Sequence, residues 1–262
     1  MIPENTSVRI VTWNVNSLRA RLPRVLELLA EHQPDVICLQ ETKCAPEGFP
    51  GAELASAGYR AVDHSAGRWA GVALLAREDL ALSDPRCGLP GEPVPAQARW
   101  CEATIDGIRF VSVYVPNGRS VDNEEFPGKL AFLEAMAHRA GALRERPLIL
   151  AGDMNVARAD ADVYDPAAFA GSTHVSPEER SRLEQILARG MVDAYRELHR
   201  TEHGFTWWDY RGGNFHRGLG LRIDLALLSA GLAPRLRACG IDRSYRKGPK
   251  PSDHAPLLVE LD

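Results

Sequence analysis

Pro147-Leu148-Ile149-Leu150-Ala151-Gly152-Asp153-Met154-Asn155 is the stretch around which the chain is organised. Three consecutive large apolar residues, bounded by Pro147 and Gly152, predict a short strand buried on both faces, as in a sheet covered by layers on either side. An acid and an amide, Asp153 and Asn155, follow at once. Side chains just beyond a strand end are free to meet a ligand, and Gly152 lets the backbone leave the sheet. Gly, Asp and Asn are also ordinary turn residues, so this stretch alone leaves a turn and a site both open.

The same pattern recurs on either side. Val8 to Trp13 alternates and is β-branched, predicting a strand that ends at Asn14-Val15-Asn16. Asp35 to Leu39 is a second buried strand, running into Gln40-Glu41-Thr42-Lys43. Trp100 to Ile105 and Ile108 to Val115 flank Asp106-Gly107, a strong hairpin signal, and the second arm ends in Tyr114-Val115-Pro116-Asn117. Leu221 to Leu228 is a strand bearing Arg222 and Asp224, and Ser252-Asp253-His254 leads into a last strand at Pro256 to Leu261.

Helices are predicted between these strands. Ser17 caps one through Val25, Leu28 and Leu29, with Pro23 tolerable near its first turn. Gly51 to Ala57 is short, and Glu124 to Arg144 is long with Leu130, Leu133 and Ala137 at helical spacing. Ser176-Pro177-Glu178-Glu179 supplies the cap, N1 proline and acidic first turn of another, closed by Gly190. Asp84 to Pro93 and Ala157 to Val175 read as loops, and Arg211 to Gly220 is glycine-rich. No linker or composition break divides the chain, so residues 1–262 are expected to form a single catalytic domain. Strands alternating with helices and joined by hairpins predict an α/β fold of two packed sheets with helices outside.

Composition narrows the class. With 262 residues the chain can bury a full core. Met1 to Ser7 is short and polar, and no run of about 18 apolar residues occurs, so no membrane association is expected. The five cysteines are scattered without C-x-x-C spacing, which argues against a zinc site or disulfide framework and for free thiols in the cytoplasm. A net charge of −4 does not advertise a polyanion partner. Arg residues nevertheless cluster at Arg19, Arg21 and Arg24, at Arg211, Arg217 and Arg222, and at Arg243 and Arg246.

Six strand ends thus carry Asn14 and Asn16, Glu41, Tyr114 and Asn117, Asp153 and Asn155, Asp224, and Asp253 with His254. Carboxylates without a His or Cys cluster favour a hard cation such as Mg²⁺ or Mn²⁺. A His among acids can be protonated and hydrogen-bond a phosphoryl oxygen. Together these groups fit phosphodiester hydrolysis. Taken singly, Tyr114 and Trp207-Trp208 read by default as core packing.

Several stretches carry a resemblance: Trp13-Asn14-Val15-Asn16-Ser17-Leu18-Arg19-Ala20, Leu39-Gln40-Glu41-Thr42-Lys43, Tyr114-Val115-Pro116-Asn117, Gly152-Asp153-Met154-Asn155-Val156, Arg222-Ile223-Asp224 and Ser252-Asp253-His254-Ala255-Pro256. In this order the chain resembles the exonuclease III family of apurinic/apyrimidinic (AP) endonucleases over nearly its whole length. The resemblance implies a four-layered α/β sandwich, two packed mixed β-sheets flanked by helices, with the site at one edge.

It implies Glu41 as a ligand of Mg²⁺, for which Mn²⁺ would substitute, with Asn16 and Asp253 nearby. Asp153 would activate the attacking water, Asn155 and Asn14 would orient water and phosphate, and Tyr114 and Asn117 would contact the phosphate. His254, paired with Asp224, would stabilise developing negative charge; which of Asp153 and His254 takes the proton stays open. Arg19 and Arg99 would contact the DNA backbone, Trp69 would face the duplex, and Trp207 and Trp208 would wall the pocket for the flipped sugar. The implied substrate is double-stranded DNA with abasic sites or blocked 3′ ends, acted on by a monomer. Two positions depart from the family pattern: Asn16 stands where some members have Asp, and His174 where some have a smaller residue. The rival readings are a relative specialised for 3′-end cleaning, a phospholipid phosphodiesterase of the same fold, and a non-catalytic DNA-binding module.

Overall fold

The computed structural model describes residues 7–262; of the opening stretch Met1–Ser7, all but Ser7 lie outside the described residues. In chain order the first half forms β1 (Val8–Asn14), α1 (Leu18–His32), β2 (Val36–Gln40), α2 (Gly51–Ser56), β3 (Tyr59–His64) and β4 (Val72–Arg77). There follow β5 (Leu82–Cys87), β6 (Trp100–Ile105), β7 (Ile108–Tyr114), α3 (Phe126–Ala142) and β8 (Leu148–Asp153). The remainder comprises α4 (Pro177–Leu187), β9 (Met191–Asp193), α5 (Ala194–Leu198), α6 (Asn214–Arg217), β10 (Asp224–Ser229), β11 (Leu236–Ile241) and β12 (Leu257–Leu261).

The strands make two six-stranded sheets, ordered β11-β12-β1-β2-β4-β3 and β5-β6-β7-β8-β10-β9. Only β1–β2 and β7–β8 pair in parallel among the described strands, so both sheets are mixed. Each sheet is built on one plan: a parallel pair joined by a long helix, β1-α1-β2 or β7-α3-β8, with antiparallel strands outside it. Parallel strands need such a crossover because both must run the same way.

Alternation within each strand sets four layers. Val36 and Cys38 of β2 and Ile149 and Ala151 of β8 face the space between the sheets. Ile37 and Leu39 face Leu18, Val25 and Leu28 of α1, whereas Leu148 and Leu150 face Phe132 and Met136 of α3 and Leu183 of α4. Each fully buried aliphatic side chain contributes about 1.5–3 kcal/mol.

The predicted hairpin is present, with Asp106 at φ 44° and Gly107 at φ 83°. The cap of α4 is also as predicted: Glu179 N donates to Ser176 Oγ (3.2 Å) and Ser176 N to Glu179 Oε2 (3.0 Å). Other expectations are corrected. Ser17, at φ 89°, gives α1 no side-chain cap; instead the backbone N–H groups of Ser17 and Leu18 donate to the carbonyls of Glu41 (2.7 Å) and Thr42 (2.9 Å). Pro23 lies inside α1, beyond its first turn.

Asp84-Pro85-Arg86 is not loop but part of β5, an edge strand paired only with β6 and shifted in register between Ser83 and Arg86. At such an edge a proline costs no ladder hydrogen bond. β10 starts at Asp224 rather than Leu221, because Leu221 bridges to Trp207 and Val163. β9 and α5 are too short to leave a periodic signal.

Candidate active site

The sheet plan explains why polar strand ends converge. β1 and β2 finish side by side at Asn14 and Gln40, and β7 and β8 at Tyr114 and Asp153. β10 runs the other way and begins at Asp224, directly opposite Asp153. Ser252 Oγ donates to the Asn14 carbonyl (2.7 Å), fixing the loop that presents Asp253 and His254.

At the centre, the buried Asn14 Nδ2 donates to Glu41 Oε1 (2.8 Å) and to Asp153 Oδ2 (2.9 Å), linking the two sheets. Asp153 Oδ1 accepts from the Asn155 backbone N–H (2.9 Å). His254 Nδ1 lies 2.8 Å from Asp224 Oδ2, and its Nε2 is 3.7 Å from Asp153 Oδ2. Asn14 therefore spends both amide hydrogens on the carboxylates. Asn155 is likewise engaged, with Nδ2 donating to the Val115 carbonyl (2.9 Å) and Oδ1 accepting from Asn117 Nδ2 (3.2 Å). Both amides thus hold protein groups of the site in place.

Burial raises Asp153 to about 7, against the pull of the His254 cation. For His254 burial disfavours the charged ring, but the carboxylates of Asp224 and Asp153 outweigh it and push the ring to about 10. Neutral solution thus finds the imidazole charged and Asp153 able to exchange a proton. Tyr114 is pushed well above the usual phenol range by burial and by Glu41 and Asp153, so it stays a neutral donor.

One flank holds Asn16, Lys43, Asp253 and Trp207. Asn16 Nδ2 donates to Asp253 Oδ1 (3.0 Å) and Trp207 Nε1 to Asp253 Oδ2 (3.0 Å). Lys43 Nζ sits 2.6 Å from both Glu41 Oε2 and Asn16 Oδ1. Oxygens of Glu41 and Asn16 thus already converge on one cationic group, and ligand atoms of Glu41, Asp153 and His254 lie within 4.8 Å of one another. His254 Nδ1 is committed to Asp224 and the ring is charged, which leaves an oxygen donor set suited to a hard divalent cation.

Arg99 lies over the Tyr114 ring (4.7 Å), and both line a groove of about 610 Å³ with Asn117 and Trp69, the latter 71% exposed. Arg19 is exposed on the first turn of α1. Trp208 corrects the expectation: it is fully buried against Phe215 and Arg243 and cannot wall a sugar pocket. Trp207 is half-buried and paired in the backbone with both Leu221 and His254.

Residues 11–254 match the model of the endonuclease/exonuclease/phosphatase family. The chain belongs to this family. Within the family, exodeoxyribonuclease III of Haemophilus influenzae is 33% identical, over 97% of this chain and 100% of the relative. A solved 3′ phosphatase, NExo from Neisseria bound to a product DNA hairpin, superposes with a TM-score of 0.94 at 38% identity, covering 97% of this chain and 99% of the other. An AP endonuclease from Archaeoglobus fulgidus superposes at 0.93 with 36% identity, covering 97% and 99%. This family member is thus an enzyme of the exodeoxyribonuclease III and AP endonuclease type.

Lys43, at the end of the Glu41-Thr42-Lys43 run, joins the site through Glu41 and Asn16, contacts that strand-end chemistry does not single out. His174, where some members have a smaller residue, is buried at the site, its Nδ1 2.6 Å from the Asn155 carbonyl and its ring 6.4 Å from that of Trp207.

Proposed function

We propose that the protein is a DNA repair phosphodiesterase that incises duplex DNA 5′ to abasic sites and also removes 3′ blocking groups and 3′-terminal nucleotides. The observation that carries this reading is Asp153, a buried carboxylate held by Asn14 and the Asn155 backbone, with a charged His254 beside it. Asp153, raised to about 7, takes the proton of the attacking water, since a base works best with its pKa near the operating pH. His254, already charged, donates from Nε2 to a phosphoryl oxygen as negative charge grows there.

Water's oxygen bonds to phosphorus as the bond to the 3′ oxygen breaks, and the leaving oxygen takes a proton from solvent to become the 3′-hydroxyl. Tyr114 and Asn117 hold the phosphate, Arg19, Arg99 and Trp69 the flanking duplex, and Trp207 the displaced sugar. A Mg²⁺ ion, replaceable by Mn²⁺ and held by Glu41 with Asn16 and Asp253 around it, would neutralise phosphate charge when bound. The protein works as a monomeric single catalytic domain in the cytoplasm, consistent with five free cysteines, of which only Cys87 is exposed.

A second reading, specialisation for 3′ ends, is favoured by His174, whose buried ring takes up space beside Trp207 where a flipped sugar would enter. Similarity to the Neisseria 3′ phosphatase points the same way. Labelled duplexes carrying an internal abasic analogue or a 3′-phosphate separate the two, each assayed with Mg²⁺, with Mn²⁺ and with chelator. Incision and 3′-phosphate release, both lost with chelator, support the main reading; release without incision supports the second. Hydrolysis of phospholipid vesicles but of neither duplex would refute both.

A further inference from the structure

Behind the phosphate-facing loops lies an ion pair that no step above uses. Lys129 projects from α3 and Glu179 from the first turn of α4, and both side chains have 0% exposure. Lys129 Nζ contacts Glu179 Oε1, the carbonyls of Asn155 (2.7 Å) and Asn117 (3.1 Å), and Thr173 Oγ1 (3.3 Å). Glu179 Oε1 in turn accepts from Thr173 Oγ1 (2.9 Å) and the His174 backbone N–H (2.9 Å). The pair thus ties the loop after β7 to both ends of the connection between β8 and α4.

We propose that the buried Lys129–Glu179 pair is a positioning device, holding the Asn117 and Asn155 carbonyls together and fixing the His174 ring in one tautomer. This rests on the reading of the site as a DNA phosphodiesterase.

Three observations carry it. First, joining α3 to α4 does not need charges, because apolar residues of similar volume often replace a buried ion pair without loss of stability. An apolar pair cannot bind two carbonyls. Second, Asn155 has a left-handed backbone (φ 50°), which aims its carbonyl at Lys129 Nζ and His174 Nδ1 while its N–H holds Asp153. Gly118 (φ 79°) permits the approach, since a Cβ there would meet Lys129 Cδ at 3.0 Å. Third, a carbonyl can only accept, so His174 Nδ1 carries the hydrogen and Nε2 the lone pair. Burial and the Lys129 charge lower the ring to about 4, keeping it neutral in that form.

The test uses Lys129→Met and the charge-free double variant Lys129→Met/Glu179→Gln. Melting temperature, kcat and KM on a 3′-phosphate duplex, and the ¹⁵N shifts of the His174 ring are measured for each. The single variant should melt lower, because it leaves Glu179 buried and unpaired. The double variant should regain most of the melting temperature, yet kcat should stay roughly 10- to 100-fold down, as sub-ångström misplacement of substrate contacts allows. KM should change little, and the His174 ring should lose its single Nδ1–H pattern. Recovery of kcat together with melting temperature, or an unchanged ring pattern, would overturn the proposal. Should the unaltered protein hydrolyse no duplex, the functional reading fails separately, and the ring pattern still decides whether the pair anchors His174.

Discussion

At the scale of single residues, chemistry arises from what each polar group is made to share. Asn14 is small enough to sit under both Glu41 and Asp153 and neutral enough to bond two anions at once. Asp224 holds His254 through one oxygen and has no partner on the other, so its main task is to orient and charge the ring. Asp224→Asn should lower kcat by roughly 10²–10⁴-fold, the usual worth of a positioned acid or base, with DNA affinity retained. His174→Ala should raise abasic incision relative to 3′-phosphate release, read by competing the two duplexes in one tube; an unchanged ratio would remove His174 from the pocket. Carboxylates, amides and the imidazole were legible from their places beyond apolar runs. Lys43 and Lys129 were not, because an isolated lysine reads as surface until the fold surrounds it with acceptors. Trp208 misled for the complementary reason: adjacent tryptophans point to opposite sides, and only Trp207 faces the site.

Elements were legible where local chemistry fixes them. The Asp106-Gly107 hairpin and the Ser176–Glu179 capping box follow from backbone preferences of a few residues. α1 starts differently from expectation because its first N–H groups are satisfied by the Glu41 and Thr42 carbonyls, contacts no window of sequence contains. The same contacts seat Glu41. In β8, Gly152 lies so close to β7 that a Cβ would meet the Val113 carbonyl oxygen at 1.9 Å. Gly152→Ala should therefore destabilise the protein by about 1–3 kcal/mol, the common cost of overpacking, and displace Asp153. Chemical denaturation with activity measured in parallel checks this: full stability and full kcat would contradict it.

Across the whole molecule, two copies of one sheet plan set the ends of both parallel pairs at a common edge. That duplication was invisible as sequence identity, because apolar alternation specifies the plan and many residues satisfy it. Buried ion pairs then tie the layers. Burial opposes ionisation of Asp162, Glu102 and Glu179, but Arg222 and Arg196, Arg139 and Arg109, and Lys129 respectively win and hold each carboxyl below its usual value. Such groups stabilise the fold above the unfolded carboxyl pKa of about 4 and lose that contribution as pH falls through their lower folded values. Asp153, raised to about 7, has the opposite sign and favours folding as pH drops from 7 toward about 4, while His174, lowered to about 4, offsets it by disfavouring folding as pH drops below about 6.5. Melting temperature should therefore hold between about pH 7 and 5 and fall steeply below about 4. A steady decline starting near neutrality would contradict this balance.

The central claim is that Asp153 prepares the water while the rest of the site binds the DNA. Single-turnover cleavage of a 3′-phosphate duplex by Asp153→Asn, with its affinity for the same duplex measured alongside, tests this directly. The variant should bind as tightly as the unaltered protein while cleaving roughly 10²–10⁴-fold more slowly. Cleavage within a few-fold of the unaltered rate, with binding intact, would contradict the account.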